Sequence, residues 1–179
     1  MRRRHLLAGL ASVGVLGGAG AVATGGVPNV LGDGPEPIEP VTLDTVDAPG
    51  SRDGRVTIPA EGRPTFVDFF ATWCGPCEKQ MPELVAAHDE VGDEVLFVSV
   101  TPQNVGGSVD PETVVEWWEN HNGDWLVAAD VTAELAAKLN VQNYPTAVAI
   151  GETGRIRWSD YGVHTAEEIV TGIETALDR

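Results

Sequence analysis

An apolar run that ends directly in a pair of cysteines constrains this chain more than any other feature. Residues 65 to 84 read TFVDFFATWCGPCEKQMPEL. The segment Pro64 to Phe70 is short, aromatic and apolar enough to form a central strand. From Gly75 to about His88 the sequence is helix-compatible, with Leu84, Val85 and Ala87 as apolar positions and Pro82 as an expected kink. Cys74 and Cys77, the only two cysteines of the 179 residues, fall at the junction of these elements.

Three chemistries suit two thiols at that spacing. A zinc ion needs four ligands, or three and a water; only two thiols exist, and His88, His121 and His164 are scattered without paired spacing, so no metal site is expected. A structural disulfide suits an oxidising compartment. Its stabilisation grows with loop length, however, and a bridge between residues three apart contributes little. A redox couple accounts better for the position. Cys74 belongs to the first turn of the helix, where unpaired N–H groups and the helix dipole favour an anion and lower the thiol pKa from about 8.5 towards 7 or below. The thiolate attacks a disulfide, and Cys77, one turn further in, resolves the mixed disulfide. Trp73 serves either as an apolar rim for a partner or as ordinary core. Lys79 is a candidate for tuning the thiols, although a lysine there is more commonly just solvated.

Asp68 raises a separate question. Strand alternation places Phe66, Asp68 and Phe70 on one face and Val67, Phe69 and Ala71 on the other. An acid between phenylalanines is expected to be buried, and buried unpaired carboxylates are rare in ordinary cores. Desolvation raises such a pKa, which makes Asp68 a candidate proton shuttle for Cys77.

The remaining chain alternates strands and helices. Val41 to Ile58 reads as a hairpin around APGSRDG, and EVLFVSV as a second buried strand. Asp110-Pro111 opens a helix containing Trp117 and Trp118, which read as core and groove wall. WLVAAD is a strand candidate, followed by a helix over TAELAAKLN capped by Asp130 or Thr132. TAVAI and RIRW flank a turn at Gly151 to Gly154, and the last helix opens on a Thr165/Glu168 capping box with Ile169, Ile173 and Leu177 on one face. Together these predict an α/β domain over 41–179 with a mixed sheet flanked by helices.

Residues 1–24 have the grammar of an export signal: a basic start with Arg3-Arg4, an uncharged Gly/Ala/Leu/Val run, then small residues. The arginine pair resembles a twin-arginine signal, and the run from Leu6 to Ala23 is close to the roughly 20 residues that span a bilayer if retained as an anchor. Residues 25–40 are rich in Gly and Pro and read as a flexible linker. The formal charge is −16, and the only lysines are Lys79 and Lys138. No basic patch exists for nucleic acid. The acidity reads as adaptation to high salt rather than as substrate recognition.

The string FVDFFATWCGPC, the proline five residues after the second cysteine, and the later Tyr144-Pro145-Thr146 together resemble the thioredoxin superfamily. The N-terminal hairpin and the insert around PETVVEWWENHNGDWLVAAD, between the second core strand and that proline, resemble its exported TlpA/ResA-like branch. The resemblance spans roughly Val41 to Leu177. It implies a thioredoxin-like fold, a nucleophilic Cys74, a resolving Cys77 and a cis-proline at Pro145. It also implies a substrate groove involving Trp73, Gly75, Pro76 and Tyr144, where a substrate chain pairs by strand addition.

Two departures stand out. Gln80 replaces a glutamate common in cytochrome-maturation members, and no lysine lies on the EVLFVSVT strand to pair with Asp68. The function implied is reduction of protein disulfides outside the cytoplasmic membrane, for instance in cytochrome c maturation. The active group would be the Cys74/Cys77 couple without a further cofactor, supplied with electrons by a membrane thiol donor. An oxidant or isomerase of secreted proteins and a non-enzymatic binding module are the alternatives. A peroxidatic Thr-x-x-Cys pattern is absent, since Ala71 stands where the threonine would be.

Overall fold

A computed structural model describes residues 36–177. The expected signal or anchor and residues 25–35 of the expected linker lie outside the described residues. Among the described residues, seven strands form one sheet: β1 Val41–Thr45, β2 Gly54–Ile58, β3 Thr65–Phe69, β4 Leu96–Thr101, β5 Leu126–Ala129, β6 Thr146–Ile150 and β7 Ile156–Tyr161. Four α-helices accompany them: α1 Gly75–Val91, α2 Pro111–Asn120, α3 Glu134–Lys138 and α4 Ala166–Ala176. The sheet order is β2-β1-β5-β4-β3-β6-β7, and the sheet is mixed: β3 runs parallel to β4 and antiparallel to β6.

Strand β3 lies near the centre, with every residue buried. A strand covered on both faces requires the near-continuous apolar run seen in its sequence. Phe66 and Phe70 join Cys74, Cys77, Met81, Leu84, Trp117 and Ile169 in one core. Val67 and Phe69 join Val98, Val100, Leu135, Val148 and Ile150 in the other. Full burial of a side chain such as Phe66 or Phe69 stabilises the fold by about 2–3 kcal/mol. The cysteines thus follow a fully buried strand near the middle of the sheet.

The N-terminal hairpin forms as expected, with Val41 opposite Ile58. It is also part of the main sheet, because β1 pairs antiparallel with β5. Its turn is pinned on α2 by the fully buried Trp118, whose indole N–H donates to the Pro49 carbonyl at 3.0 Å. Gly50 in that turn has φ +71°, and a Cβ there would overlap the Asp124 carbonyl carbon. Gly50→Ala is therefore expected to destabilise the protein by about 2 kcal/mol or more, measured as a lower urea midpoint with an unchanged slope.

Several boundaries depart from expectation for physical reasons. Helix α1 continues through Pro82 and past His88 to Val91, ending where Gly92 takes φ +51°. Apolar burial of Ala87 and Val91 holds its last turns. Helix α3 is shorter than its propensity suggests and starts after Ala133, which is left-handed at φ 55°. Asp130 caps it from outside, accepting the Ala136 N–H at 2.8 Å. Helix α4 carries the full capping box and buries Ile169 and Ile173. At the other end, Ile38 donates its N–H to the Gly154 carbonyl at 2.9 Å, so the last residues of the expected linker meet the domain before β1 begins. No helix among the described residues is long and apolar enough to cross a membrane.

Candidate active site

The chain leaves β3 at Phe69 and turns through Ala71-Thr72-Trp73 into α1. Gln103 holds this turn: its side-chain carbonyl accepts the Thr72 N–H at 2.8 Å and its amide donates to the Thr72 hydroxyl at 3.1 Å. Sequence reasoning gave no sign of this contact, because Gln103 lies in a loop after β4 with no periodicity.

Cys74 is the N-cap of α1. Its Sγ accepts the Cys77 N–H at 3.2 Å, so the sulfur itself occupies the place of a capping oxygen. Cys74 and Cys77 are joined as a disulfide, with S–S 2.10 Å and Cα–Cα 5.2 Å. Cys74 is 5% exposed and Cys77 1%. Between them Gly75 and Pro76 are exposed, and a Cβ on Gly75 would meet nothing within 4 Å. A partner therefore reaches the bridge across open backbone.

The Tyr144–Pro145 peptide bond is cis. Pro145 is buried and Tyr144 half-buried at the start of β6. Trp73 is 72% exposed, which excludes a core role. Its ring meets Tyr144 edge-on, with centroids 6.2 Å apart. The contact lies where the pairing of Phe69 with Thr146 brings the cysteine turn and the cis-proline segment to the same end of the sheet. Burial, and next the charge of Asp130, push the Tyr144 hydroxyl above its usual range.

Asp68 is 2% exposed. Its Oδ2 accepts from the Ser99 hydroxyl at 3.4 Å, while Oδ1 has no hydrogen-bond partner. Ser99 in turn accepts the Trp125 indole N–H at 3.0 Å. Burial pushes the Asp68 carboxyl up to about 7, and the Ser99 hydrogen bond offsets this only in part. Ser99 was legible in principle, as the one hydroxyl within LFVSV and in register opposite Asp68. Polar residues at facing positions in the interiors of two adjacent buried strands signal a partnership.

Other candidates fall elsewhere. Lys79 is exposed on α1. The His88 ring packs among aromatics, 5.0 Å from Phe97 and 5.2 Å from Trp125 between centroids. His121 ends α2, its ring tilted against Trp117 with centroids 4.4 Å apart, and His164 lies against Trp158 at 5.5 Å. Trp117 and Trp118 are core, stacked and tilted on Phe70. Among the described residues no group of three or more His, Cys, Asp or Glu side chains is placed to hold a metal ion.

A vicinal pair of cysteines capping a helix at the end of a central strand, beside a cis-proline, defines a thioredoxin-like thiol-disulfide oxidoreductase domain. Residues 43–177 match the Redoxin family, and the chain belongs to it. It is 29% identical over 116 residues to the sporulation thiol-disulfide oxidoreductase A of Bacillus subtilis, covering 64% of this chain and 68% of that protein. It is 30% identical over 118 residues to the thiol-disulfide oxidoreductase ResA of Geobacillus kaustophilus, covering 64% of this chain and 63%, under two thirds, of that relative. The crystal structure of StoA from Bacillus subtilis superposes with a TM-score of 0.63 at 23% identity, over 76% of this chain and 98% of StoA.

Proposed function

We propose that this protein reduces protein disulfides outside the cytoplasmic membrane, with Cys74 as nucleophile, Cys77 as resolving thiol and Asp68 as proton shuttle. The observation that carries the reading is the Cys74–Cys77 bridge at the N-terminus of α1, sharing a core face with a buried acid that has one oxygen free.

In the reduced protein, the α1 N–H groups and helix dipole stabilise the Cys74 thiolate. The thiolate attacks one sulfur of the substrate disulfide. A mixed disulfide forms and the first substrate thiolate leaves. Asp68 takes the Cys77 proton, and Cys77 attacks the Cys74 sulfur, releasing the second substrate thiolate. Two electrons pass to the substrate, whose two thiolates take up protons, and the Cys74–Cys77 disulfide remains. A dithiol donor must then return two electrons. For a protein exported by its arginine-pair signal, that donor is a thiol carrier of the membrane.

Trp73, Gly75, Pro76, Tyr144 and Pro145 form the surface on which the substrate chain lies. The Gly-Pro dipeptide matches the reductants of the superfamily, and apocytochrome c is the substrate class that the resemblance supplies. The acid-rich composition supports a high-salt habitat.

The test is the equilibrium reduction potential of the Cys74–Cys77 couple, measured in a dithiothreitol buffer at high salt. A value near the roughly −270 mV of thioredoxins is expected. A value about 100 mV more positive, equivalent to roughly 4–5 kcal/mol in favour of the dithiol, would reverse the direction and make the protein an oxidant of secreted chains.

A further inference from the structure

Gln80 lies one turn beyond Cys77 and is 2% exposed. Its side chain makes two hydrogen bonds to the backbone of one residue, 84 positions away. The amide Nε2 donates to the His164 carbonyl at 3.1 Å, and Oε1 accepts the His164 N–H at 2.7 Å. One turn later Glu83 accepts the Ala166 N–H at 2.8 Å. The segment so held, residues 162–165, begins with Gly162 at φ +118°, and its N–H donates to the Pro145 carbonyl at 3.0 Å.

We infer that Gln80 is a positioning residue that clamps the His164 backbone and, through Gly162 and Pro145, fixes the cis-proline segment against the disulfide helix. The inference rests on the functional reading above and adds to it the part that sets the groove. The two halves of the site come from segments far apart in sequence. Pairing of Phe69 with Thr146 joins the two segments through the sheet; the path Cys77–Gln80–His164–Gly162–Pro145 is a second hydrogen-bonded route, and it starts from the disulfide helix itself. The Gln80 amide is buried, so leaving its donor and acceptor unpaired is costly.

The chemistry of the clamp demands a group that donates and accepts at once. An amide does this at every pH. A carboxylic acid does it only while protonated; ionised, it leaves the His164 carbonyl facing a negative oxygen. Gln80→Glu therefore converts a constant clamp into one that opens as pH rises. The ionisable groups around it are Cys77, Lys79 and Glu83 on α1, His164 in the loop, Glu167 and Glu168 on α4, Asp160 on β7 and Asp68 on β3. All of them are present in the parent protein as well, so only a pH-dependent step found in Gln80→Glu and absent from the parent belongs to the clamp.

The experiment follows the reduced protein reacting with insulin and with the small disulfide 5,5′-dithiobis(2-nitrobenzoate), from pH 5 to pH 9, in the parent, Gln80→Leu and Gln80→Glu. In parallel, NMR follows exchange of the Gly162 and His164 amide protons. Gln80→Leu is expected to react about tenfold more slowly with insulin and within about twofold of the parent with the small disulfide, which does not need the groove. Gln80→Glu should match the parent at the acid end and approach Gln80→Leu at the alkaline end, for insulin only. The Gly162 amide should exchange about tenfold faster in Gln80→Leu.

Equal slowing of both disulfides, or unchanged Gly162 exchange in a folded Gln80→Leu, would overturn the clamp. Failure of the parent protein to reduce insulin would overturn the functional reading instead, and amide exchange would still decide the clamp.

Discussion

Asp68→Asn is expected to make the oxidised protein more stable by about 4 kcal/mol above neutral pH, while slowing disulfide exchange about 100-fold at pH 7. Both effects have one cause. In the folded protein burial pushes the carboxyl up to about 7, from its ordinary value of 3.8. Between these values the native state holds a proton that the unfolded chain has released. Stability attributable to this group is therefore greatest below pH 4, falls as pH rises, and is fully lost above about pH 7. At 1.36 kcal/mol per pKa unit the loss is about 4 kcal/mol.

Asparagine keeps an acceptor for the Ser99 hydroxyl and never ionises, so urea midpoints of the variant should lose this decline relative to the parent. It also cannot take the Cys77 proton. Resolution of the mixed disulfide should slow, and its inflection near pH 7 should vanish. A variant that gains stability while exchanging disulfides at the parent rate would assign Asp68 a structural role only.

Cys77→Ser should abolish turnover while preserving the attack, and Cys74→Ser should abolish both. Loss of a covalent nucleophile ordinarily lowers turnover a thousandfold or more. In Cys77→Ser the thiolate of Cys74 still opens a substrate disulfide, but no second sulfur can displace the product. A mixed disulfide should accumulate, visible by mass spectrometry as one substrate chain bound per protein. Neither variant should unfold, because a bridge closing so short a loop stabilises the chain by only about 2 kcal/mol. Accumulation of the adduct with Cys74→Ser rather than Cys77→Ser would exchange the two roles.

Much of the framework was legible because local chemistry decided it. The apolar runs of β3, β4 and β6 mark strands buried on both faces, and Thr165 with Glu168 marks the start of α4 from four residues alone. Burial of Asp68 followed from strand alternation. What the sequence hid was carried by distant contacts. Asp130 was one of the two expected caps of α3 and does accept the Ala136 N–H, but the left-handed Ala133 that delays the helix start has no mark in local propensity. The cis bond at Ile58–Pro59 carries no local mark comparable to the Tyr-Pro-Thr string. Pairing of β1 with β5, the hold of Gln103 on Thr72 and the Gln80 clamp all join residues separated by long stretches of chain. Their side chains look like ordinary surface polar groups until the fold brings them together.

The position of β3 has a consequence for the order of events during synthesis. Phe66 is paired on one side with Phe97 and on the other with Ala149, so both neighbours of the strand that leads into the cysteines are supplied by chain made later. Until β6 arrives, Cys74 and Cys77 belong to a local turn with no proline segment beside them. Non-local pairing of this kind is slow compared with helix formation. On the reading that the cis-proline segment helps seat a substrate chain, the two thiols would exist before the surface that selects their partner, and selectivity would be the last property the molecule acquires.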